Sequence, residues 1–137
     1  MKIILLSGDP NTGKTTTFHT LYDQLTQGIK NPPPKQGGKK RGDFHCVLKY
    51  KGKQVALHSH GDIMHIVYRA IIMYSEVDYL ILAHSIGGRE MNRIRNAVLK
   101  YTQHCLISKT VSKSTISKQI WNANNLKDCQ KIIKAII

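Results

Sequence analysis

Short apolar runs alternate along this chain with segments whose apolar residues recur every three or four positions, a pattern that predicts strands alternating with helices. The first run, Ile3 to Leu6, predicts a strand, and Phe18, Leu21, Tyr22 and Leu25 then follow at i, i+3, i+4 and i+7, the stripe of an amphipathic helix that Gly28 ends. Two further strands are expected over Phe44 to Tyr50 and Gln54 to Ser59. The short, glycine-containing link Lys51-Gly52-Lys53 makes them an antiparallel hairpin. A helix follows with Ile63, Ile66, Val67, Ala70, Ile71 and Tyr74 on its buried face. Val77 to His84 is almost continuously apolar, as suits a central strand covered on both faces. Beyond Gly87-Gly88 the spacing predicts a helix from about Arg89 to Tyr101, then a last strand over Gln103 to Ser108. The remaining chain reads as helical sequence broken near Asn122 to Asn125, with Leu126, Cys129, Ile132, Ile133 and Ile136 packing a terminal helix and Trp121 in the core.

Between the first predicted strand and helix stands Gly8-Asp9-Pro10-Asn11-Thr12-Gly13-Lys14-Thr15, a G-x-x-x-x-G-K-T spacing. Glycines at its two ends let the backbone turn tightly, so that successive N–H groups from about Asn11 to Thr16 line one concavity that suits phosphate oxygens. The helix that starts near Lys14 adds its positive end. Lys14 supplies a mobile full charge for the terminal phosphates, and the Thr15 hydroxyl suits a Mg²⁺ shell otherwise made of water and phosphate oxygen.

These residues, in a strand–loop–helix context, resemble the P-loop (Walker A) NTPase superfamily. The resemblance implies a three-layer α/β fold with helices on both faces of the sheet, and binding of a nucleoside triphosphate with Mg²⁺ through Gly8, Asp9, Pro10, Asn11, Thr12, Gly13, Lys14, Thr15 and Thr16. With the hairpin included, the expected sheet has five strands, mostly parallel, with one antiparallel hairpin strand, as in the GTPase-like branch. Ser59-x-Gly61-Asp62 after one strand and Ala83-His-Ser-x-Gly-Gly after the next are similar to small, poorly characterised bacterial or phage P-loop proteins, which implies ATP. No Asn-Lys-x-Asp segment for guanine follows either late strand, so GTP is the less favoured nucleotide.

The strand over Gln54 to Ser59, if it leaves the sheet beside the glycine-rich loop, brings Asp62 into the outer shell of the Mg²⁺; as a helix N-cap Asp62 would be equally ordinary. The Val77–His84 strand ends without the acidic residue that many P-loop enzymes carry there, and Asp78 is at its wrong end, so the metal role moves to Asp62 by elimination. Arg89 falls near the C-terminal end of that strand, where ligands of open α/β sheets bind, and is a candidate phosphate contact alongside Lys14. His58, His60, Asp62 and His65 make a transition-metal site conceivable, although they cross a strand-to-helix boundary.

The 137 residues make one domain, residues 1–137, with little room for a separate substrate domain. Twenty-one Lys and Arg against eight Asp and Glu give a formal charge of +13, which favours anionic partners without naming one. Much of that charge lies in a proline- and glycine-rich loop, residues 30–41, whose Lys35, Lys39, Lys40 and Arg41 suit phosphates, nucleic acid or no partner at all. Cys46, Cys105 and Cys129 form no C-x-x-C pair and read as reduced thiols. The first apolar run is too short for a signal peptide and Arg69 interrupts the longest later one, so the sequence predicts a soluble cytoplasmic protein with no membrane span. Two functional classes remain open: a Mg²⁺-dependent NTPase or small phosphotransferase, and a nucleotide-responsive binding module with a basic surface and little or no hydrolysis.

Overall fold

The computed structural model describes residues 1–137 except 9–12, 38–41, 62–63, 86–92, 94–95, 97, 99, 101–102, 111–117 and 137, and except the side chains of residues 64 and 65. The described elements are β1 (Lys2–Gly8), α1 (Lys14–Leu25), β2 (His45–Tyr50), β3 (Lys53–His58), α2 (Met64–Met73), β4 (Tyr79–Ser85), β5 (His104–Ser108) and α3 (Lys118–Ala135). Arg93, Asn96 and Val98 also have helical backbone, within the helix expected from Arg89 to Tyr101.

The five strands form one mixed sheet in the order β2-β3-β4-β1-β5, parallel throughout except for the antiparallel β2–β3 pair. β1 and β4 carry apolar side chains on both faces because both faces are covered. Ile4, Leu6, Ile81 and Ala83 pack with Phe18 and Leu21 of α1 and with Cys129 and Ile132 of α3. Ile3, Leu5, Leu80 and Leu82 pack on the other face with Val67, Ala70 and Ile71 of α2 and with Val98. The α/β architecture and the central place of the Val77–His84 strand are as the periodicity predicts. The β2–β3 connection is the two residues Lys51 and Gly52, both with positive φ, as a type I′ hairpin turn demands.

β4 stands between β3 and β1, pairing Leu57 with Ile81 on one side and Leu5 with Leu82 on the other. Two expectations are corrected. The last helix is not broken at residues 122–125 but runs unbroken over Lys118–Ala135. Asparagine is a weak helix former, but Asn125 is buried against α1, where its Oδ1 accepts a hydrogen bond from Thr17 Oγ1 at 3.2 Å. Leu126 is exposed, and Trp121 is only half-buried and outside both core clusters.

All three cysteines are free thiols, and burial pushes Cys46 up to about 11 and Cys129 to about 12. No helix among the described residues is long and apolar enough to cross a membrane.

Candidate functional site

The C-terminal ends of β1, β3 and β4 share one edge of the sheet, and β2, being antiparallel, begins there. Chain that enters β2 is therefore at the same end of the sheet as chain that leaves β1, with β3 and β4 between them, although more than thirty residues separate them in sequence.

α1 begins on Gly13, whose φ of +90° places it in the left-handed region. Gly13 offers no side-chain cap, and no acidic residue sits in the first turn of α1. The first ladder bond runs from Thr17 N to the Gly13 carbonyl at 2.9 Å, so the amides of Lys14, Thr15 and Thr16 precede the ladder and are oriented out of the helix end. Lys14 is buried, with its Nζ donating to the Gly8 carbonyl at 2.9 Å. The ammonium thus spans the two ends of the glycine-rich loop. The Thr15 hydroxyl donates to Asp43 Oδ1 at 3.0 Å, and the same oxygen accepts from Ser59 Oγ at 3.1 Å. Ser59 is itself fixed by the Phe44 amide, which donates to its Oγ at 2.9 Å.

Two further groups back the loop. At the end of β1, Ser7 Oγ is hydrogen-bonded to Nδ1 of the buried His84 at 3.0 Å, and the Lys109 amide donates to the Ser7 carbonyl. On α3, Trp121 and Asn125 lie against Gly13 so closely that a Cβ there would be 2.7 Å from the indole Cζ2 and 3.0 Å from Asn125 Oδ1. Gly13→Ala combines a strained left-handed backbone with this overlap. It is expected to destabilise the fold by about 2 kcal/mol in denaturant unfolding; a variant as stable as the parent would mean that Trp121 does not pack on the loop.

Of the residues singled out in the sequence, Gly8, Gly13, Lys14, Thr15 and Thr16 come together here. Asp9, Pro10, Asn11, Thr12, Asp62, Arg89, Lys39, Lys40 and Arg41 lie outside the described residues. Gly61, next to Asp62, is held by the Ser85 amide donating to its carbonyl at 3.3 Å, and any Cβ would collide with the Ala83 carbonyl. The connection leaving β3 thus crosses directly against the end of β4. Asp78 belongs to the opposite edge, where its carboxylate accepts from the Gln54 amide at 2.8 Å. Lys35 is exposed but engaged: its Nζ is 2.8 Å from His19 Nδ1 and lies over the rings of Tyr22 and Phe44. His60 lies beyond the end of β3, so it and His58 do not share a strand face, and no cluster of three metal-ligating His, Cys, Asp or Glu occurs among the described residues.

Asp43 is the residue that the sequence reading missed. It stands in irregular chain after the cationic loop, where no periodicity marks it. The available signal was composition, since it is the sole carboxylate between Asp23 and Asp62.

Beside Asp43 a cavity of about 460 Å³ opens over the α2 face of the hairpin, lined by Phe44, His45, His58, His60, Arg69 and Met73 among others. His58 is buried and its Nδ1 has no hydrogen-bond partner among the described residues. Burial first, then His45 and His60, hold its pKa down to about 4 against the opposing pull of its own backbone and Asp43. The imidazole is therefore neutral at pH 7. His45 Nδ1 is satisfied by the Tyr74 hydroxyl at 2.7 Å.

No protein-family model, curated protein or solved structure matches the chain.

Proposed function

We propose that the chain is a P-loop protein that binds a nucleoside triphosphate, ATP in preference to GTP, together with Mg²⁺, and acts as an NTPase or small phosphotransferase. The observation that carries this reading is the conjunction, at one helix end, of a buried lysine reaching back over its loop and a threonine hydroxyl bonded to a carboxylate. Lys14 and the first-turn amides stabilise negative charge on terminal phosphate oxygens, an effect that is strong where water is excluded. Residues 9–12 and Thr16 complete the phosphate cradle, and Arg89 remains the candidate for a further phosphate contact.

The donor set fits Mg²⁺. Thr15 Oγ1 and the Asp43 carboxylate are hard oxygens at hydrogen-bond distance from one another, the chemistry this ion selects. Thr15 would hold it, with Asp43 and Asp62 as the carboxylates behind; when bound it neutralises charge that develops on the phosphates. Ser59 keeps Asp43 aimed at Thr15.

The alternative is a nucleotide-responsive module whose basic surface engages nucleic acid or a protein. Multiple turnover of ATP by the isolated chain separates the two.

Asp43→Asn tests the metal assignment, because asparagine keeps an oxygen for the Thr15 and Ser59 hydroxyls but removes the charge. Its expected effect is a loss of about 10- to 100-fold in the apparent affinity for Mg²⁺ in the presence of ATP, with little change in unfolding midpoint. Asp62→Asn is expected to lose less. The reverse ranking would return the metal role to Asp62 and leave Asp43 a structural partner of Thr15.

A further inference from the structure

Trp121 is a large aromatic side chain that the core does not use. It stands in the first turn of α3, half-buried and outside both core clusters, so part of the indole is open to solvent. The ring packs instead on the glycine-rich loop, where a Cβ at Gly13 would be 2.7 Å from the indole Cζ2 and 3.2 Å from Cε2. The sheet order sets the side from which it does so. Asp43 reaches Thr15 from the chain entering β2, at one edge of the sheet, whereas α3 packs against α1 and against β5, the strand at the other edge. The N-terminal end of α1 thus has a carboxylate on one side and an indole on the other. A phosphate chain that starts at a metal beside Thr15 and Asp43 and crosses the first-turn amides carries its base toward α3. Phe44, next to Asp43 in the chain, offers no competing surface, being buried against His19 and Tyr22. Every base has a π-face, so stacking on an indole recognises that a base is present rather than which base it is.

We infer, resting on the triphosphate reading above, that Trp121 is the platform on which the nucleotide base stacks. It separates a nucleoside triphosphate from a bare triphosphate and leaves the choice of adenine over guanine to other groups.

Trp121 is the single tryptophan of the chain, so its emission reports the contact directly. The whole chain is titrated with ATP and with inorganic tripolyphosphate, which has the phosphates without the base, each in the presence of Mg²⁺. ATP should quench the tryptophan emission saturably, and tripolyphosphate should leave it near its starting value. Calorimetry with both ligands is then repeated on Trp121→Leu and Trp121→Phe. Leucine keeps an apolar side chain against Gly13 but has no π-face. It should lose about 5- to 140-fold in ATP affinity, phenylalanine much less, and neither variant should lose affinity for tripolyphosphate. The proposal is overturned if leucine weakens both ligands equally, which would make Trp121 a support of the loop, or if phenylalanine loses as much as leucine. It is also overturned if ATP quenches the parent's emission no more than tripolyphosphate does, a result that stands even where a variant does not fold. Calorimetric binding of ATP with a silent tryptophan removes the platform alone, whereas a parent that binds neither ligand removes the nucleotide reading and the platform with it.

Discussion

Replacing Asp128 by alanine is expected to cost about 3–5 kcal/mol of stability, because it strands a buried lysine. Lys109 Nζ lies 2.7 Å from Asp128 Oδ2, and neither side chain is exposed. Thr110 adds two bonds to the carboxylate, from its amide at 3.0 Å and its hydroxyl at 2.6 Å. Burial alone would raise the Asp128 pKa, but the bonds from Lys109 and Thr110 and the Lys109 charge outweigh it and hold the carboxyl below its ordinary value. The pair ties the end of β5 to α3, and α3 carries the Trp121 and Asn125 that back Gly13. Loss of the pair should therefore loosen the loop as well as the fold. The double variant Lys109→Met with Asp128→Leu removes both charges and should recover most of the stability. Equilibrium unfolding of both variants checks the account; a cost below about 1 kcal/mol for Asp128→Ala would mean that water reaches the pair.

The second large effect is with pH. His58 has a pKa of about 4 in the folded protein against an ordinary 6.5, so between those values the unfolded chain binds the extra proton and the folded one does not. Its contribution is complete above about pH 6.5 and is lost as pH falls toward 4, amounting to roughly 3 kcal/mol over the window. The Asp128 carboxyl is held below its ordinary 3.8, so its own loss comes at lower pH and does not mimic this one. Unfolding free energies at pH 7 and pH 4.5 should therefore fall much less in His58→Gln than in the parent. Equal falls would place the imidazole in contact with water.

Much of this fold is legible from burial alone. Ile3 to Leu6 and Leu80 to Leu82 announce themselves because a strand covered on both faces must be apolar at every position. Gly8, Gly13 and Lys14 stand out in the sequence by their spacing, and the contact they make, from Lys14 Nζ to the Gly8 carbonyl, spans that spacing. Strand order is not legible, since nothing in the side chains of β4 distinguishes pairing with β3 and β1 from pairing with β1 alone. Asp43 escaped because it gains its meaning only when antiparallel pairing with β3 puts the start of β2 at the end of the sheet where α1 begins, within reach of Thr15. The unbroken course of α3 escaped because the bond from Thr17 to Asn125 is a tertiary contact that overrides a local preference.

Calorimetric titration of the chain with ATP and AMP in the presence of Mg²⁺, repeated on Lys14→Ala, bears most directly on the central claim. The parent should bind ATP saturably. Lys14→Ala should lose a charge-assisted bond to the terminal phosphates worth about 1.5–3 kcal/mol, or roughly 10- to 150-fold in ATP affinity, with a much smaller loss for AMP. A parent that binds no ATP, or a variant that loses ATP and AMP equally, would contradict the account.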